Sequence, residues 1–385
     1  MKIGLDARTA VGDVSGVGNY LVSIIEAGAF SEHTLYAYYD ARADGHPSNI
    51  TVPDDTTLIW RPISSPQLVD RAFGPASPAW WVNVTLYRAL QQDDIDAFFG
   101  PNFVQPIPFD GPSVVVVHDV IHREYPDAHP TAYRGYLHVS LMGALWKADR
   151  VITVSEHSKQ DILKYYDIPP QNIIVAPGAA NDRYQPRDLT QQTRERLREE
   201  FDLPERFLLY VGNIEPRKNL TGLLDAMESM TDDERPPLVI VGKKHLVDEE
   251  FAEKYQQCGF KDDIIFTGYV PEEDLPLLYN MASVFIFPSL YEGFGLPVLE
   301  ALQSGTPVIT SSCSSLPEVA GDAAITVEPQ DYDAITDAIR HLWSDHEMRA
   351  DSRQRGLQRA QQFSWEQTAA QISKAYNQCS PNKQS

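Results

Sequence analysis

Short apolar segments and amphipathic segments alternate along this 385-residue chain. The apolar segments are about five residues long and rich in aliphatic and aromatic residues, which is typical of buried parallel strands. In the first half they are Lys2–Asp6, Thr34–Tyr39, Ser113–Val117, Val151–Val154 and Ile173–Val175. In the second half they are Phe207–Val211, Leu238–Val241, Ile264–Thr267, Val284–Phe287 and Pro307–Thr310. Strands that alternate with helices predict an α/β protein whose parallel sheets carry helices on both faces.

Length and composition narrow the class of protein. A chain of 385 residues is long enough for two domains, each with its own core. No run of about 18 apolar residues predicts a transmembrane helix, and the N-terminus lacks the apolar core of a signal peptide. Three widely spaced cysteines favour reduced thiols in the cytosol, and no Cys/His spacing suggests a zinc site. The formal net charge of −22 argues against a nucleic-acid partner and against a broad electrostatic contact with anionic lipid.

The run from 285 to 302, Phe-Ile-Phe-Pro-Ser-Leu-Tyr-Glu-Gly-Phe-Gly-Leu-Pro-Val-Leu-Glu-Ala-Leu, is the most informative part of the chain. An apolar strand is followed by a glycine-rich turn and a helix whose first turn suits Pro297. Free backbone N–H groups and the positive end of the helix dipole suit a phosphate there. Glu292 precedes the helix and Glu300 lies one turn inside it. Two carboxylates beside an anion site suit a sugar nucleotide, although the glycines alone fit a tight turn equally well.

The whole run resembles the Glu-x7-Glu signature of retaining glycosyltransferases of family 4, which have the GT-B fold. The resemblance covers nearly the whole chain and is strongest over residues 208–318. It implies that Glu292 binds hydroxyls of the donor sugar and that Glu300 binds the ribose hydroxyls. The backbone groups that would meet the diphosphate and the sugar belong to Phe294, Gly295 and Leu296.

The family resemblance also implies two Rossmann-like parallel-sheet domains that face each other across a cleft. Turn-forming residues between 177 and 194 indicate the linker. We therefore predict an acceptor domain over residues 1–187 and a nucleotide-sugar donor domain over residues 188–362. Residues 363–385 would form a return helix, which ends at Asn377 and packs on the first domain, and a tail.

A second motif, Leu-Leu-Tyr-Val-Gly-Asn-Ile-Glu-Pro-Arg-Lys-Asn-Leu, covers residues 208–220. A strand ends at Gly212, and Arg217 and Lys218 precede Asn219, a residue that favours a helix N-cap. Two cations at a helix start can neutralise a diphosphate without a metal, although surface pairs of this kind are usually just solvated. The motif resembles the diphosphate clamp of the family, which implies that Arg217 and Lys218 stabilise the leaving nucleotide and that Gly212 also contacts the donor.

Three further positions gain a role only from the resemblance. Gly16 and Gly18 lie in a Gly-x-Gly sequence, read as a loop between a strand and a helix, and would approach the donor phosphate and the acceptor. Val270 follows a strand where relatives bind the nucleotide base through backbone groups.

Residues at the end of strand Ser113–Val117 are candidates for the catalytic pocket. His118 lies at the carboxyl edge where open α/β sheets bind ligands, and relatives have a catalytic-pocket histidine at the end of this strand. His122 is a competing candidate, and Asp119 has a weaker claim as a proton acceptor. Outside this strand, Ser155 is expected to cap a helix rather than to act on a ligand.

The adjacent pair Trp80 and Trp81 has two interpretations. Core packing explains most such aromatic residues. An acceptor-binding or membrane-facing patch is the alternative, because relatives often glycosylate lipid-linked sugars.

The resemblance implies a retaining, metal-independent hexosyltransferase in the cytoplasm, with a peripheral contact at the inner face of the membrane left open. It would transfer mannose or glucose from a UDP- or GDP-linked donor to a hydroxyl of a saccharide or lipid-linked saccharide. The Asp6-Ala7-Arg8 opening is similar to the branch that builds surface polysaccharides. The implied mechanism is a front-face displacement in which the leaving diphosphate takes the proton of the incoming hydroxyl. A sugar-nucleotide 2-epimerase of the same fold and a non-catalytic sugar-nucleotide binding protein remain alternatives.

Overall fold

The structure, a computed structural model, describes residues 1–12, 15–45, 47, 49–67, 77–126, 131–242 and 249–379. The chain divides into two compact units. Unit 1 comprises Met1–Gly178 and the C-terminal residues from Ser364 onward, and unit 2 comprises Ala179–Phe363. The division falls nine residues before the predicted boundary between 187 and 188. Residues 380–385 of the predicted tail lie outside the described residues.

Unit 1 is built on a seven-stranded parallel sheet. Its strands are β1 (Lys2–Asp6), β2 (Thr34–Asp40), β3 (Thr57–Ile63), β4 (Ala97–Gly100), β5 (Ser113–Val117), β6 (Arg150–Thr153) and β7 (Ile173–Val175). Their order in the sheet is β3-β2-β1-β4-β5-β6-β7. The order reverses between β1 and β4, and open sheets of this kind bind ligands outside the carboxyl ends of the strands at such a point.

Unit 2 contains a six-stranded parallel sheet. Its strands are β8 (Leu208–Val211), β9 (Leu238–Val241), β10 (Ile264–Gly268), β11 (Val284–Phe287), β12 (Val308–Ser311) and β13 (Ile325–Val327). The order is β10-β9-β8-β11-β12-β13, so the reversal falls between β8 and β11. These two strands are followed by the two motifs singled out in the sequence.

Helices cover both sheets. In unit 1 they are α1 (Gly16–Glu26), α2 (Ser77–Trp80), a π-helical segment (Trp81–Leu86), α3 (Tyr87–Gln92), α4 (Ile121–Glu124), α5 (Thr131–Lys147) and α6 (Glu156–Tyr165). In unit 2 they are α7 (Gln191–Phe201), α8 (Leu220–Glu228), α9 (Glu249–Gln257), α10 (Leu275–Met281), α11 (Leu296–Ser304), α12 (Leu316–Ala320), α13 (Tyr332–Ser344) and α14 (His346–Ala360). No helix in these described ranges is both long enough and apolar enough to span a bilayer.

The last helix, α15 (Trp365–Asn377), belongs to unit 1. It packs on α1 and on strands β5, β6 and β7. The Ser364 side chain caps its first turn, and its buried face includes Ile372 and Tyr376. Tyr376 donates a hydrogen bond to the carbonyl of Phe98 at the centre of the sheet, at 3.1 Å. The C-terminal segment therefore completes the core that the first 178 residues begin.

The ten strands predicted from apolar runs are present, with ends that differ by at most one residue. Three further strands, β3, β4 and β13, were not predicted. β3 lies at the sheet edge and is half-exposed, and it contains Arg61 and Pro62. β4 and β13 have four and three residues and were missed, although predicted strands such as β8 and β7 are equally short.

Candidate active site

Two cations and a carboxylate meet in unit 2, at the point where the strand order reverses. Arg217 and Lys218 lie in a 3-10 turn after β8, and Glu292 lies in the loop after β11. Lys218 Nζ is 2.5 Å from Glu292 Oε1, and an Arg217 Nη is 3.1 Å from the same oxygen. The structure thus brings the adjacent residues Arg217 and Lys218 together with Glu292, which lies 74 residues beyond Lys218 in the chain.

The carboxylates of this cluster neutralise its cations. Arg217 Nε also lies 3.0 Å from Glu215, and Ser289 Oγ donates a hydrogen bond of 2.6 Å to Glu292. The side chains of Lys218 and Glu292 are only 9% and 11% exposed. Burial opposes ionisation of Glu292, but Lys218 and Arg217 outweigh it and hold the pKa of this carboxyl below its ordinary value. Glu292 is therefore an ionised hydrogen-bond acceptor at neutral pH.

A serine pair that the sequence did not single out fixes the loop around Glu292. The Glu292 N–H donates to Ser314 Oγ at 3.1 Å. Ser315 Oγ bonds two carbonyls of the loop, those of Glu292 at 2.9 Å and Phe294 at 2.7 Å. Both serines follow β12, in the run Ser-Ser-Cys-Ser-Ser before α12. In the sequence, the signal for this serine pair was a polar run directly after a buried strand.

The turn before α11 has the geometry of an anion site. Gly295 has a φ of +106°, and a Cβ there would lie 2.7 Å from the side chain of Leu316, so glycine is required. The N–H groups of Phe294, Gly295 and Leu296 bond no acceptor within the described part of the chain. The helix has nine residues, so these donors lie at the positive end of a helix dipole.

Glu300 lies inside α11 and faces two tyrosines. Its Oε2 accepts a hydrogen bond from Tyr279 Oη at 3.0 Å, and Tyr184 also bonds the carboxylate. Burial raises the pKa of Glu300 to about 7, although the tyrosine hydroxyls oppose this shift. The sequence analysis did not identify either tyrosine as a partner, and no pattern near them marks that role.

Asn219 does not cap α8, contrary to the sequence-based expectation. Its backbone is left-handed, with a φ of +58°, and its side chain accepts no cap hydrogen bond. The side-chain amide instead donates to the carbonyls of Pro288, at 3.2 Å, and Pro329, at 2.7 Å. Asn219 thus joins the loop after β8 to the loop after β11, which fixes the cations relative to Glu292.

Two other predicted contacts with the donor lie at the same edge of the sheet. Gly212 ends β8 with a φ of +153°, and its carbonyl oxygen would be 2.2 Å from a Cβ on Gly242, so the backbones approach closely there. Val270 is buried after β10. Its backbone N–H and carbonyl have no partner in the described residues, which leaves both able to bond a ligand.

His118 lies in unit 1, at the carboxyl end of β5. Its Nε2 is 2.9 Å from the carbonyl of Pro101, an acceptor, so Nε2 carries the proton. Tyr20 packs edge-on against the ring at 5.1 Å. Burial lowers the pKa of His118, which favours the neutral ring with Nδ1 as an acceptor.

The neighbours of His118 have structural partners. Asp119 Oδ1 accepts from the N–H of Ile121 at the start of α4, at 3.0 Å. His122 is buried, and its Nε2 lies 2.9 Å from Tyr166 Oη. Ser155 caps α6 through the N–H of Ser158, as predicted.

Gly16 and Gly18 are not in a loop, contrary to the sequence-based expectation. Both belong to the first turn of α1, which begins at Gly16 and is capped by Ser15. Gly16 is exposed, and no atom lies within 4 Å of a Cβ built on it. The helix starts earlier than its apolar pattern indicates, because the serine cap outweighs the low helix propensity of two glycines.

Trp81 is a core residue rather than part of a surface patch. It is 3% exposed, and the Arg8 guanidinium lies 4.2 Å from the centre of its ring. Arg8 is held there by two hydrogen bonds to Asp6, at 2.9 and 2.7 Å. Trp80 is half-buried.

Comparison with known protein families assigns both halves of the chain. Residues 14–183 match the model described as Glycosyltransferase Family 4, and residues 191–359 match the one described as Glycosyl transferases group 1. The chain is 35% identical over 309 residues to O-antigen chain mannosyltransferase B of Escherichia coli, covering 80% of this chain and 78% of the relative. It is 30% identical over 282 residues to the serotype-specific mannosyltransferase WbdA of Escherichia coli, covering 70% of this chain. It spans 34% of the length of WbdA.

Solved structures show the same fold. Sucrose-phosphate synthase of Thermosynechococcus elongatus aligns with a TM-score of 0.77 at 22% identity, and the alignment covers 98% of both chains. Anabaena HepE, solved in complex with UDP and glucose, aligns with a TM-score of 0.73 at 17% identity, covering 98% of this chain and 99% of HepE. Together with the seven- and six-stranded parallel sheets, these neighbours show the GT-B fold. The chain belongs to the family 4 glycosyltransferases.

Proposed function

We propose that this protein is a retaining, metal-independent hexosyltransferase that transfers mannose or glucose from a nucleotide diphosphate sugar to a hydroxyl of a saccharide or lipid-linked saccharide. The acceptor would be a growing polysaccharide. Mannose is supported by the names of two relatives, which are mannosyltransferases. Glucose and a UDP donor are supported by the complex of Anabaena HepE with UDP and glucose.

One observation carries this proposal: the cluster of Arg217, Lys218 and Glu292 lies at the carboxyl edge of the sheet, beside the start of α11. The cations suit a diphosphate, and the free N–H groups of the turn suit its oxygens. Glu292 suits sugar hydroxyls on one side. Glu300, further along the helix, suits the ribose hydroxyls on the other.

Binding of the donor would exchange partners within this cluster. Arg217 and Lys218 are paired with carboxylates in the free protein, so a diphosphate has to compete with Glu292 and Glu215 for them. Glu292 would then be released to accept hydrogen bonds from the sugar. Because Lys218 is buried and the Arg217 side chain is only 19% exposed, their attraction to the extra negative charge of the leaving nucleotide is less screened than at a surface.

The proposed chemistry needs no protein nucleophile. Glu292 is held by three donors and ionised, which suits a positioning role. The bond between C1 of the sugar and the diphosphate oxygen breaks, and the acceptor oxygen bonds C1 on the same face. The acceptor proton passes to the departing diphosphate oxygen, so the configuration at C1 is retained. Most of the rate enhancement would come from positioning and electrostatics.

His118 would act as a neutral hydrogen-bonding group. The bond to Pro101 fixes its tautomer and leaves Nδ1 as an acceptor for a sugar hydroxyl. Its lowered pKa keeps a positive charge away from the oxocarbenium-like transition state.

We also propose that the two cations do the work for which other transferases use a divalent metal. The measurement is the melting temperature with UDP, GDP or ADP, each in EDTA. A ligand at about 100 times its Kd stabilises by about 2.7 kcal/mol, which raises the melting temperature visibly. A rise with one nucleotide identifies the base of the donor. A rise that appears only when Mg²⁺ or Mn²⁺ replaces EDTA would overturn metal independence.

Transfer itself is tested with the matching mannose and glucose donors and a mannoside acceptor, with the anomeric configuration of the product read by NMR. We expect an α-linked product from an α-linked donor. Inversion would rule out the proposed mechanism. Conversion of the sugar nucleotide without an acceptor would favour the epimerase, and binding without transfer or hydrolysis would favour a non-catalytic role.

A further inference from the structure

Three cavities follow one another through unit 1, starting at His118. The first, of about 200 Å³, is lined by His118, Phe103 and Tyr133 among others. The second, of about 260 Å³, shares Phe103 and Tyr133 with the first and contains the Asp6–Arg8 ion pair. The third, of about 520 Å³, shares Val104 and Tyr136 with the second. The three cavities are therefore neighbours, and the second lies between the cavity at His118 and the third cavity.

The third cavity is an apolar groove, defined here by Val82, Val104, Ile107, Val139, Met142 and Trp146. No charged side chain lines it among the described residues. Its outer wall is a stripe of α5 that remains exposed, with Val139 at 62%, Met142 at 50% and Trp146 at 77%. A contiguous apolar surface of this kind, next to a cavity of ligand size, marks a binding site.

Polarity falls along this series of cavities. The first cavity carries His118 and Asp119, and the second carries a paired Asp6 and Arg8. The third carries mainly aliphatic and aromatic side chains, and its polar lining residues, Asn83, Gln105 and Ser140, are uncharged. An amphiphile with a sugar at one end and a hydrocarbon at the other has the same gradient. A peptide or a second protein surface would bring more backbone polar groups than the few polar side chains of this groove can satisfy.

Gln105 is a buried polar residue in the wall of the apolar groove. It lines the cavity wall but is 3% exposed, and neither atom of its amide has a hydrogen-bond partner in the described residues. Buried amides are nearly always bonded. After a side-chain rotation, the oxygen that links a sugar to its hydrocarbon chain could accept from Nε2, and a neighbouring hydroxyl could donate to Oε1.

We infer that the apolar groove binds the hydrocarbon aglycone of the acceptor, whose sugar lies at His118. This inference rests on the proposed function, because it assigns the sugar end to the acceptor site. It deepens that function by making the preferred acceptor a glycoside with an alkyl or isoprenoid chain rather than a free saccharide.

The test compares octyl α-mannoside, below its critical micelle concentration, with methyl α-mannoside. Binding is measured without donor by isothermal titration calorimetry, and transfer is measured as kcat/KM. We expect octyl mannoside to bind and to react at least about tenfold better than methyl mannoside, since each buried methylene contributes. In Val139→Asp and Met142→Lys this ratio should fall to within about twofold. Both positions are exposed, so the substitutions should leave the fold intact, which circular dichroism checks.

Tyr332→Asp is the matched control, because Tyr332 is a 40% exposed aromatic residue in unit 2, and its octyl-to-methyl ratio should equal that of the wild type. Equal binding of both glycosides by the wild type, or an unchanged ratio in both groove variants, overturns the inference. So does a wild-type dimer that Val139→Asp dissociates in sedimentation, because a second copy would then occupy the groove. Binding of octyl mannoside without transfer to either acceptor would instead count against the proposed function and leave the groove assignment supported.

Discussion

Two glutamates eight positions apart have opposite electrostatic environments. Glu292 faces Lys218 and Arg217, so its pKa is lowered, whereas Glu300 faces the hydroxyls of Tyr279 and Tyr184, and burial raises its pKa to about 7. Both carboxylates are buried enough to be sensitive to their partners. Burial raises the pKa of both carboxyls, and only at Glu292 do neighbouring cations outweigh it, which predicts different responses to pH and to substitution.

Nucleotide affinity should depend on pH near 7 through Glu300. An ionised carboxylate is the stronger acceptor for ribose hydroxyls. Because the pKa of Glu300 in the free protein is about 7, acidification from pH 8 to pH 6 protonates it and should weaken nucleotide binding. The Glu300→Gln variant should bind the nucleotide more weakly than the wild type at pH 8. Its affinity should also lack the pH dependence that comes from this carboxyl. Calorimetry measures the nucleotide dissociation constants of the wild type and the variant from pH 6 to 8. Titration of the nucleotide itself affects both proteins equally, so it cancels in the ratio of the two constants. A ratio that stays constant would contradict the proposed contact with ribose.

Glu292→Gln should separate nucleotide binding from transfer. The substitution removes the charge that competes with the diphosphate for Arg217 and Lys218, so UDP or GDP should bind as tightly as to the wild type or a few-fold more tightly. Transfer should fall by roughly 100-fold or more, the cost of losing one preorganised polar contact to the reacting group. Calorimetry and initial rates measure the two effects. The assignment would be wrong if this variant lost as much nucleotide affinity as Glu300→Gln.

At the scale of elements, most of the buried strands were predictable because short apolar runs between amphipathic segments leave little choice of structure, although the buried strand β4 was missed. Strand β11, the turn after it and helix α11 were predicted correctly, since the glycines, the proline and the apolar helix face all indicate the same structure. The features that could not be predicted from the sequence depend on contacts between distant loops. Asn219 bonds Pro288 and Pro329 rather than capping α8, and Ser315 bonds carbonyls more than 20 residues away. Local patterns cannot specify such pairs.

The start of α11 can be tested through its two flanking glycines. Gly295 and Gly305 both have left-handed backbones, with φ values of +106° and +75°. Alanine at either position should destabilise the protein by about 1 kcal/mol or more, because the conformation is strained for a side chain. A Cβ at Gly295 would also meet Leu316 at 2.7 Å, which displaces the donors of the anion site. We therefore expect Gly295→Ala to weaken nucleotide binding at least tenfold.

Gly305→Ala is the matched variant, because it strains the other end of the same helix, and its Cβ would meet only the flexible end of Arg353. It should lose stability in urea denaturation and retain nucleotide affinity. Equal loss of affinity in the two variants would show that the effect comes from the helix as a whole rather than from its first turn.

At the scale of the whole molecule, the two units differ in how the chain builds them. Unit 2 is one continuous segment, Ala179–Phe363, and its core is formed by residues within that segment. Unit 1 needs residues from both ends of the chain, since α15 packs on β5, β6 and β7 and buries Ile372 and Tyr376 against them. The sequence indicated this return helix through family resemblance and not through its own pattern, because an amphipathic helix does not say which sheet it covers.

This asymmetry predicts how each unit behaves when the chain is cut. Residues 179–363 alone should fold cooperatively and bind the nucleotide diphosphate with an affinity within about threefold of the full chain, because Arg217, Lys218, Glu300 and the turn before α11 all lie within them. They should not transfer sugar, since His118 is absent.

Residues 1–363 should instead lose the stability of unit 1, because removing α15 exposes apolar side chains that the sheet had covered. Thermal melts followed by circular dichroism separate the transitions of the two units, and added nucleotide identifies the transition of unit 2. A chain ending at Cys379 controls for the loss of the last six residues. If residues 1–363 melted like the full chain, α15 would not be part of the core of unit 1. If residues 179–363 folded without binding any nucleotide, the donor site assigned to unit 2 would be incomplete.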